Sequence, residues 1–506
     1  MRTKNVVKNF ATDFLPQILI MLIGIFKAKI LLNYLGESVL GLYQLFMQIV
    51  PYLALAEGGL STASLYRLYG PIAKKDYKKE KEVLNATTNV FIVVGCIMLA
   101  CGLGISFLIP HFINNNPFEF TYIQFNFMLY LLSEVMIYFT ISSRIVFEAN
   151  QKKYKINLII QSAAILKSLL EIVILVLGGT LTNMFTMFVF VSVITNLIII
   201  YKAKKEYAYL PKVKEKDYSL VKDIKDLFVH KIGGLIANNI DIIIISSTKG
   251  LGLAKVVVYS SYNYIVNSMK IVIDKLYGAA SSSVGNLLFE DSKKSHDIFL
   301  EYNAIVNYIA IVLGIPLFFA VDYFIDIWYE GKVLTSIAIS IMFILVFMYN
   351  TIRVPLLNFT TASGLFKETK ICPILESIIN LTLSLIFVRK FGIPGVLIAT
   401  LISLICSEYL IKPVILYKKV FKRNVMYYYI KNLKFVAYII FAIIVISVIK
   451  LNLVINNLLV WFILSGIIFI ANLLIASIYF SMVKENKFFE RFKMIFLNKV
   501  KLNKGR

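Results

Sequence analysis

The chain has 506 residues, 59% hydrophobic and 16% charged, with a formal net charge of +24. A water-soluble domain is about a quarter charged, so this composition excludes an ordinary globular protein. The basic residues lie between apolar runs rather than on one face, which excludes nucleic acid as a partner and points to loops against anionic lipid.

The apolar runs are roughly 20 residues long, the length a helix needs to cross a ~30 Å hydrocarbon layer. Nothing alternates as a strand would, and backbone polar groups need partners in lipid, so each run is predicted to be a helix. Six runs, at 11–35, 39–65, 85–110, 121–147, 156–178 and 183–202, fall in a first bundle over residues 1–202. A basic segment at 203–225 reads as a cytoplasmic linker. Six more, at 226–248, 254–285, 301–326, 334–361, 372–389 and 394–417, form a second bundle over 226–417. Helices at 433–450 and 456–480 complete the region 418–480, and residues 481–506 are a basic tail. The expectation is an all-α membrane protein of about 14 transmembrane helices.

The first helix opens on a basic stretch and holds Asp13, Lys27 and Lys29, which reads as a retained span rather than a cleaved leader. Lys29, six residues from the outer end, can snorkel to the interface; Lys27 has no acid within one turn. The second helix carries Glu57-Gly58-Gly59 and then Ser61, Thr62 and Ser64. Those glycines read either as a bend or as a close-packing surface. Arg144 lies near the inner end of the fourth helix. In the fifth, Lys167 has Glu171 four residues on, a spacing that also permits a structural ion pair.

In the second bundle Asp241 lies in the seventh helix. The eighth carries Lys270, Asp274 and Lys275, with Ser260, Ser261, Tyr262, Asn263, Tyr264 and Asn267 before them. Lys270 and Asp274 are again spaced for an ion pair, while Lys275 points about 100° away from Asp274. Arg353, near Pro355 in the tenth helix, has no acid within one turn. A charge at mid-bilayer costs about 2.5–3.5 kcal/mol on insertion scales, so these residues imply a watered cavity or tight pairing. Lys27, Lys29, Arg144, Lys167, Lys270, Lys275 and Arg353 are the candidate cationic lining. Arg suits a phosphate, because its planar fork donates two parallel hydrogen bonds.

With the N-terminus inside, 41 of the 53 basic residues fall on the cytoplasmic side and six in outside loops: Lys249, Lys255, Lys332, Arg389, Lys390 and Lys450. Both termini are therefore expected in the cytoplasm of a cell membrane. The chain also repeats. Gly36 and Tyr43 recur as Gly252 and Tyr259, Leu103-Gly104-Ile105 as Leu313-Gly314-Ile315, and Gly178 as Gly392. Offsets of 210 to 216 across six helices read as a duplication with both copies in the same orientation. Two such halves around a central cavity suit a transporter.

No P-loop, HExxH, GxSxG or metal-ligand cluster is present, and His111, His230 and His296 are far apart in sequence. Cys96, Cys101, Cys372 and Cys406 have neither redox nor zinc spacing. The outside loops are short, which disfavours a polymerase or ligase acting on sugars outside. The reading is therefore a transporter and not an enzyme.

Leu35-Gly36-Glu37 through Gly41-Leu42-Tyr43, then Glu57-Gly58-Gly59-Leu60-Ser61, resembles the start of the polysaccharide biosynthesis flippases. So does Arg144-Ile-Val-Phe-Glu-Ala-Asn-Gln151-Lys-Lys-Tyr154. These are the O-antigen and capsule repeat-unit exporters of the multidrug/oligosaccharidyl-lipid/polysaccharide (MOP) superfamily. The resemblance implies two six-helix bundles around a cationic cavity and alternating access. It also implies a polyprenyl-diphosphate-linked oligosaccharide as cargo, with polysaccharide assembly proteins as further partners. Lipid II flippases and MATE-like drug exporters are the neighbouring alternatives. No cofactor is expected beyond coupling to H+ or Na+, for which Glu57, Asp241 and Asp274 are the candidates.

Overall fold

A computed structural model describes residues 2–218, 240–290 and 295–485. Among these residues the chain is all helical, with no strand. It divides into two compact units, Met1–Val257 and Val258–Arg506.

The first unit begins with α1 (Arg2–Leu53), a helix kinked at Gly36, whose φ of 75° breaks the α-helical path. A 3-10 turn, Ala54–Glu57, follows, and Gly58 and Gly59 then take φ of 56° and 94° before α2 (Leu60–Lys74). The two glycines thus act as a break, since residues with a Cβ rarely enter that left-handed region. Asp76 caps α3 (Tyr77–Ser106) by accepting the Lys79 backbone N–H at 3.0 Å. The fourth predicted span is α4 (Phe120–Val135), a 3-10 turn Tyr138–Thr140, and α5 (Ile141–Ala149). α6 (Tyr154–Val176) and α7 (Leu181–Glu206) complete the six, with Thr180 and Asn183 closing a capping box at the start of α7. α8 (Asp241–Ser247) is the described part of the seventh predicted span.

The eighth span is α9 (Gly252–Glu290), and the boundary between the units falls in its early turns. The second unit continues with α10 (Ser295–Tyr329), α11 (Ile337–Ile352) and α12 (Val354–Ala362). After these come α13 (Ile371–Phe391) and α14 (Ile393–Leu404). α14 runs into two π-helical segments, Ile405–Tyr409 and Tyr417–Phe421, separated by the short α15 (Lys412–Leu416). The last two helices are α16 (Met426–Leu451) and α17 (Leu458–Met482).

Eleven segments among the described residues are long and apolar enough to cross a membrane. The first of them, Leu15–Glu57, contains the Gly36 kink and so covers the first predicted span and the start of the second. The chain is a multi-pass membrane protein. Leu459, Phe462, Ile463, Ile470 and Ile478 on α17 are exposed, as expected of side chains facing acyl chains rather than water.

Glycines that recur in the sequence share a backbone geometry. Gly36 and Gly252 both have positive φ, 75° and 69°, and Tyr43 and Tyr259, seven residues on, are both buried. Gly178 and Gly392 likewise have φ of 82° and 62°, just before α7 and α14.

Candidate functional site

Among the described residues, three clusters of charged groups within the spans bear on the site, one in the first unit and two in the second. In the first unit Lys27 on α1 reaches across to α6 and pairs with the buried Glu171 at 2.9 Å. Lys27 had no acid within one turn, and its partner comes instead from a neighbouring helix. Lys167 does not take Glu171 as its pairing partner despite the i+4 spacing; its ammonium lies 5.1 Å from the centre of the Phe188 ring. Glu171 and Glu134 both act on it electrostatically.

Arg144 is held differently. It lies on α5, one turn beyond the 3-10 turn that breaks this span. Its Nη2 donates to the side-chain oxygen of Asn196 on α7 at 2.8 Å, and the Thr140 hydroxyl donates to the same oxygen at 2.6 Å. The Asn196 amide NH2 donates to the Ser192 carbonyl at 2.9 Å, which fixes which end of the amide faces the guanidinium. The Arg144 Nε is buried without a partner. Among the described residues no carboxylate pairs with this guanidinium, which is held by an amide oxygen alone.

In the second unit Arg353, at the junction of α11 and α12, donates from Nη1 to Glu408 at 2.8 Å. Lys412, one helical turn after Glu408, binds the other carboxylate oxygen. Glu376 on α13 acts on Arg353 electrostatically. Two cations thus face two carboxylates. The third cluster was not foreseen. Lys450, placed by its sequence in an outside loop, is buried and pairs with Asp322 on α10. It also donates to the Phe318 carbonyl at 2.9 Å, while the Tyr262 and Ser340 hydroxyls complete the Asp322 carboxylate.

The remaining candidates are dispersed. Lys29 is half-buried on α1. Lys270 and Asp274 form the i,i+4 pair their spacing suggested, at 3.1 Å on a half-exposed face of α9. Glu57 accepts the Ser61 backbone N–H at 3.4 Å and so caps the restart of the helix. Asp241 is buried at the start of α8. The side chains of Lys275 and Asp13 lie outside the described residues, as do residues 219–225 of the predicted linker at 203–225. Sequence reasoning missed Lys412, Lys450, Asp322 and Asn196. For Lys412 the signal was present, four residues after Glu408; Lys450 and Asp322 are 128 residues apart and carry no local mark of their pairing. Among the described residues no three His, Cys, Asp or Glu side chains come together as a metal site would require.

No protein-family model matches the chain, and no curated protein matches it in sequence. Its fold is found among solved structures. The lipid II flippase MurJ in an inward closed conformation superposes with a TM-score of 0.67 at 18% identity, over 92% of this chain and 98% of that one. An inward-facing MATE multidrug resistance transporter of the MOP superfamily gives 0.57 at 17% identity, over 77% and 92%. A MOP superfamily transporter from Pyrococcus furiosus, described as having a binding pocket of reverse polarity, gives 0.52 at 15% identity, over 81% and 94%. At these identities the likeness establishes the fold alone, the multi-pass helical architecture that these neighbours have. These neighbours are transporters and flippases rather than enzymes.

Proposed function

We propose that this protein is a flippase that moves a polyprenyl-diphosphate-linked oligosaccharide from the cytoplasmic to the outer leaflet, exposing its site alternately to the two sides. The observation that carries this reading is Arg144. Its guanidinium is half-buried in a membrane-spanning bundle, has an unpartnered Nε, and is held by an amide instead of a carboxylate. A cation kept in that state is poised for an anionic guest, because charge-assisted bonds to phosphate replace its lost hydration. Lys167, resting on a ring, is a second ammonium not committed to a direct carboxylate contact. Lys27 and Arg353 are matched by Glu171 and Glu408, so in this state they hold helices together; they join the site only where a guest displaces those carboxylates. Coupling to a proton or sodium gradient, with Glu57, Asp241 and Asp274 as the candidate carriers, is part of the same proposal.

A second reading is favoured by one observation: the MurJ fold covers nearly the whole of both chains. In that case the guest is a lipid-linked peptidoglycan precursor, whose diphosphate places the same demand on Arg144. An exporter of cationic drugs fits less well, since such a cargo gains nothing from a guanidinium.

The test is translocation in proteoliposomes of a fluorescent polyprenyl-diphosphate disaccharide, scored by quenching from outside. We expect wild-type protein to flip it, and Arg144→Gln to slow flipping at least tenfold at equal reconstitution. Flipping of lipid II alone transfers the assignment to the second reading. Uptake of a cationic dye with no movement of either lipid overturns both.

A further inference from the structure

The contact made by Arg144 occurs twice in this chain, with one change. In each unit the span built from two helical pieces packs its polar junction against the helix two spans later. In the first unit the junction supplies Thr140 and Arg144, and α7 answers with Asn196, fifteen residues after its first residue Leu181. In the second, the junction supplies Arg353, and the helix beginning at Ile393 answers with Glu408, again fifteen residues on. Gly178 and Gly392, both left-handed, mark corresponding starts of the two answering helices. Counted from those glycines Asn196 is 18 residues on and Glu408 is 16, so the two answer from neighbouring rather than identical repeat positions, an amide in one unit and a carboxylate in the other.

That exchange has an electrostatic consequence. Glu408 is an anion built into the fold, and it occupies both Arg353 and Lys412. Asn196 offers an oxygen of the same reach without the charge. Its oxygen takes one N–H from Arg144, the Nε beside it is left without an acceptor, and among the described residues no carboxylate completes the fork. A guanidinium in a low-dielectric bundle gains most from a bidentate anion. We infer that the junction of α5 with α7 is an anion seat for one phosphate of a lipid-linked diphosphate, kept open by Asn196 where Glu408 fills the corresponding seat of the second unit. The inference rests on the flippase reading for the nature of the guest. It goes beyond it in naming the residue that leaves this guanidinium without a built-in anion.

The seat can be closed from within. Asn196→Glu gives Arg144 the carboxylate that Arg353 already has, so the variant is expected to keep or raise its melting temperature while losing the guest. The probe is farnesyl diphosphate, with farnesol as the uncharged control, titrated calorimetrically into the full chain in detergent. We expect wild-type protein to bind the diphosphate at least tenfold more tightly than the alcohol. Asn196→Glu is expected to lose at least tenfold in affinity for the diphosphate with no fall in melting temperature, a combination that a packing defect does not produce. Lys205→Glu, a like charge change on the exposed last turn of α7, is expected to bind as wild type. Should Asn196→Glu fail to assemble, Asn196→Asp is read by the same two criteria. Diphosphate affinity within threefold of wild type in the carboxylate variant, or equal binding of diphosphate and alcohol by the wild type, overturns the seat. Vesicle flipping separates this from the flippase reading. Flipping that persists in Asn196→Glu rejects the seat and keeps the transporter, whereas diphosphate binding sensitive to Asn196→Glu with no flipping keeps the seat and rejects the transporter.

Discussion

Lys450 shows what a charge within a membrane span requires. Its ammonium meets the Asp322 carboxylate, the Phe318 carbonyl at 2.9 Å and the Phe318 ring at 4.4 Å, so nearly all its bonding capacity is used inside the protein. Asp322 in turn accepts from Tyr262 and Ser340. Removing one partner of such a pair leaves a buried charge uncompensated, which costs about 3–5 kcal/mol. Lys450→Met is therefore expected to lower the thermal midpoint of the purified protein sharply. Lys450→Met combined with Asp322→Asn is expected to recover most of the loss, because the amide oxygen still accepts one hydroxyl, the amide NH2 donates to the other, and no charge is left behind. Additive losses in the double variant contradict this account. None of this pairing was legible in sequence, where Lys450 ends an apolar run with no acid one turn away. The i+4 rule identified Lys270 with Asp274 and misdirected Lys167 toward Glu171, because a carboxylate between two helices takes whichever cation packing presents.

At the scale of elements, helix positions followed from apolar length and some of their interruptions from glycine. Gly36, Gly58 and Gly59 all have positive φ where the sequence suggested a turn or a bend. The π-helical segments after Leu404 were not legible, since Ile405–Tyr409 carries no glycine or proline. Glycine also sets how closely helices approach. A Cβ added to Gly41 on α1 falls 2.4 Å from the backbone carbonyl oxygen of Leu253 on α9, and a backbone atom cannot rotate away as a side chain can. Gly41→Ala is thus expected to force the two segments apart at a cost of about 1–3 kcal/mol, the usual range for overpacking. It should appear as a lower thermal midpoint and a smaller monodisperse fraction on size exclusion. Gly104→Ala is the control, with nothing within 4 Å of the added carbon. Equal behaviour of the two variants refutes the close-approach argument.

For the whole molecule, the multi-pass helical fold was legible because a bilayer leaves few options. Runs of lipid-crossing length must be helices, and the repeat in sequence reappears as paired glycine geometries. Orientation is a separate question, decided by where cations lie during insertion. Lys78 and Lys79 at the start of α3 pair with Glu215 and Asp217 of the segment after α7, at 3.3 and 3.1 Å, and the Asn85 amide donates to the Val213 carbonyl at 2.7 Å. These two basic regions therefore lie together at one end of the first unit. The positive-inside rule assigns that end to the cytoplasm, because the sequence count places 41 of 53 basic residues on its side and six in the opposite loops, of which the burial of Lys450 leaves five. In a background with Cys96, Cys101, Cys372 and Cys406 replaced, Lys332→Cys should react with a membrane-impermeant maleimide on intact cells. Lys78→Cys should react only after permeabilisation. The reverse pattern inverts the topology, and with it the direction of the proposed transport.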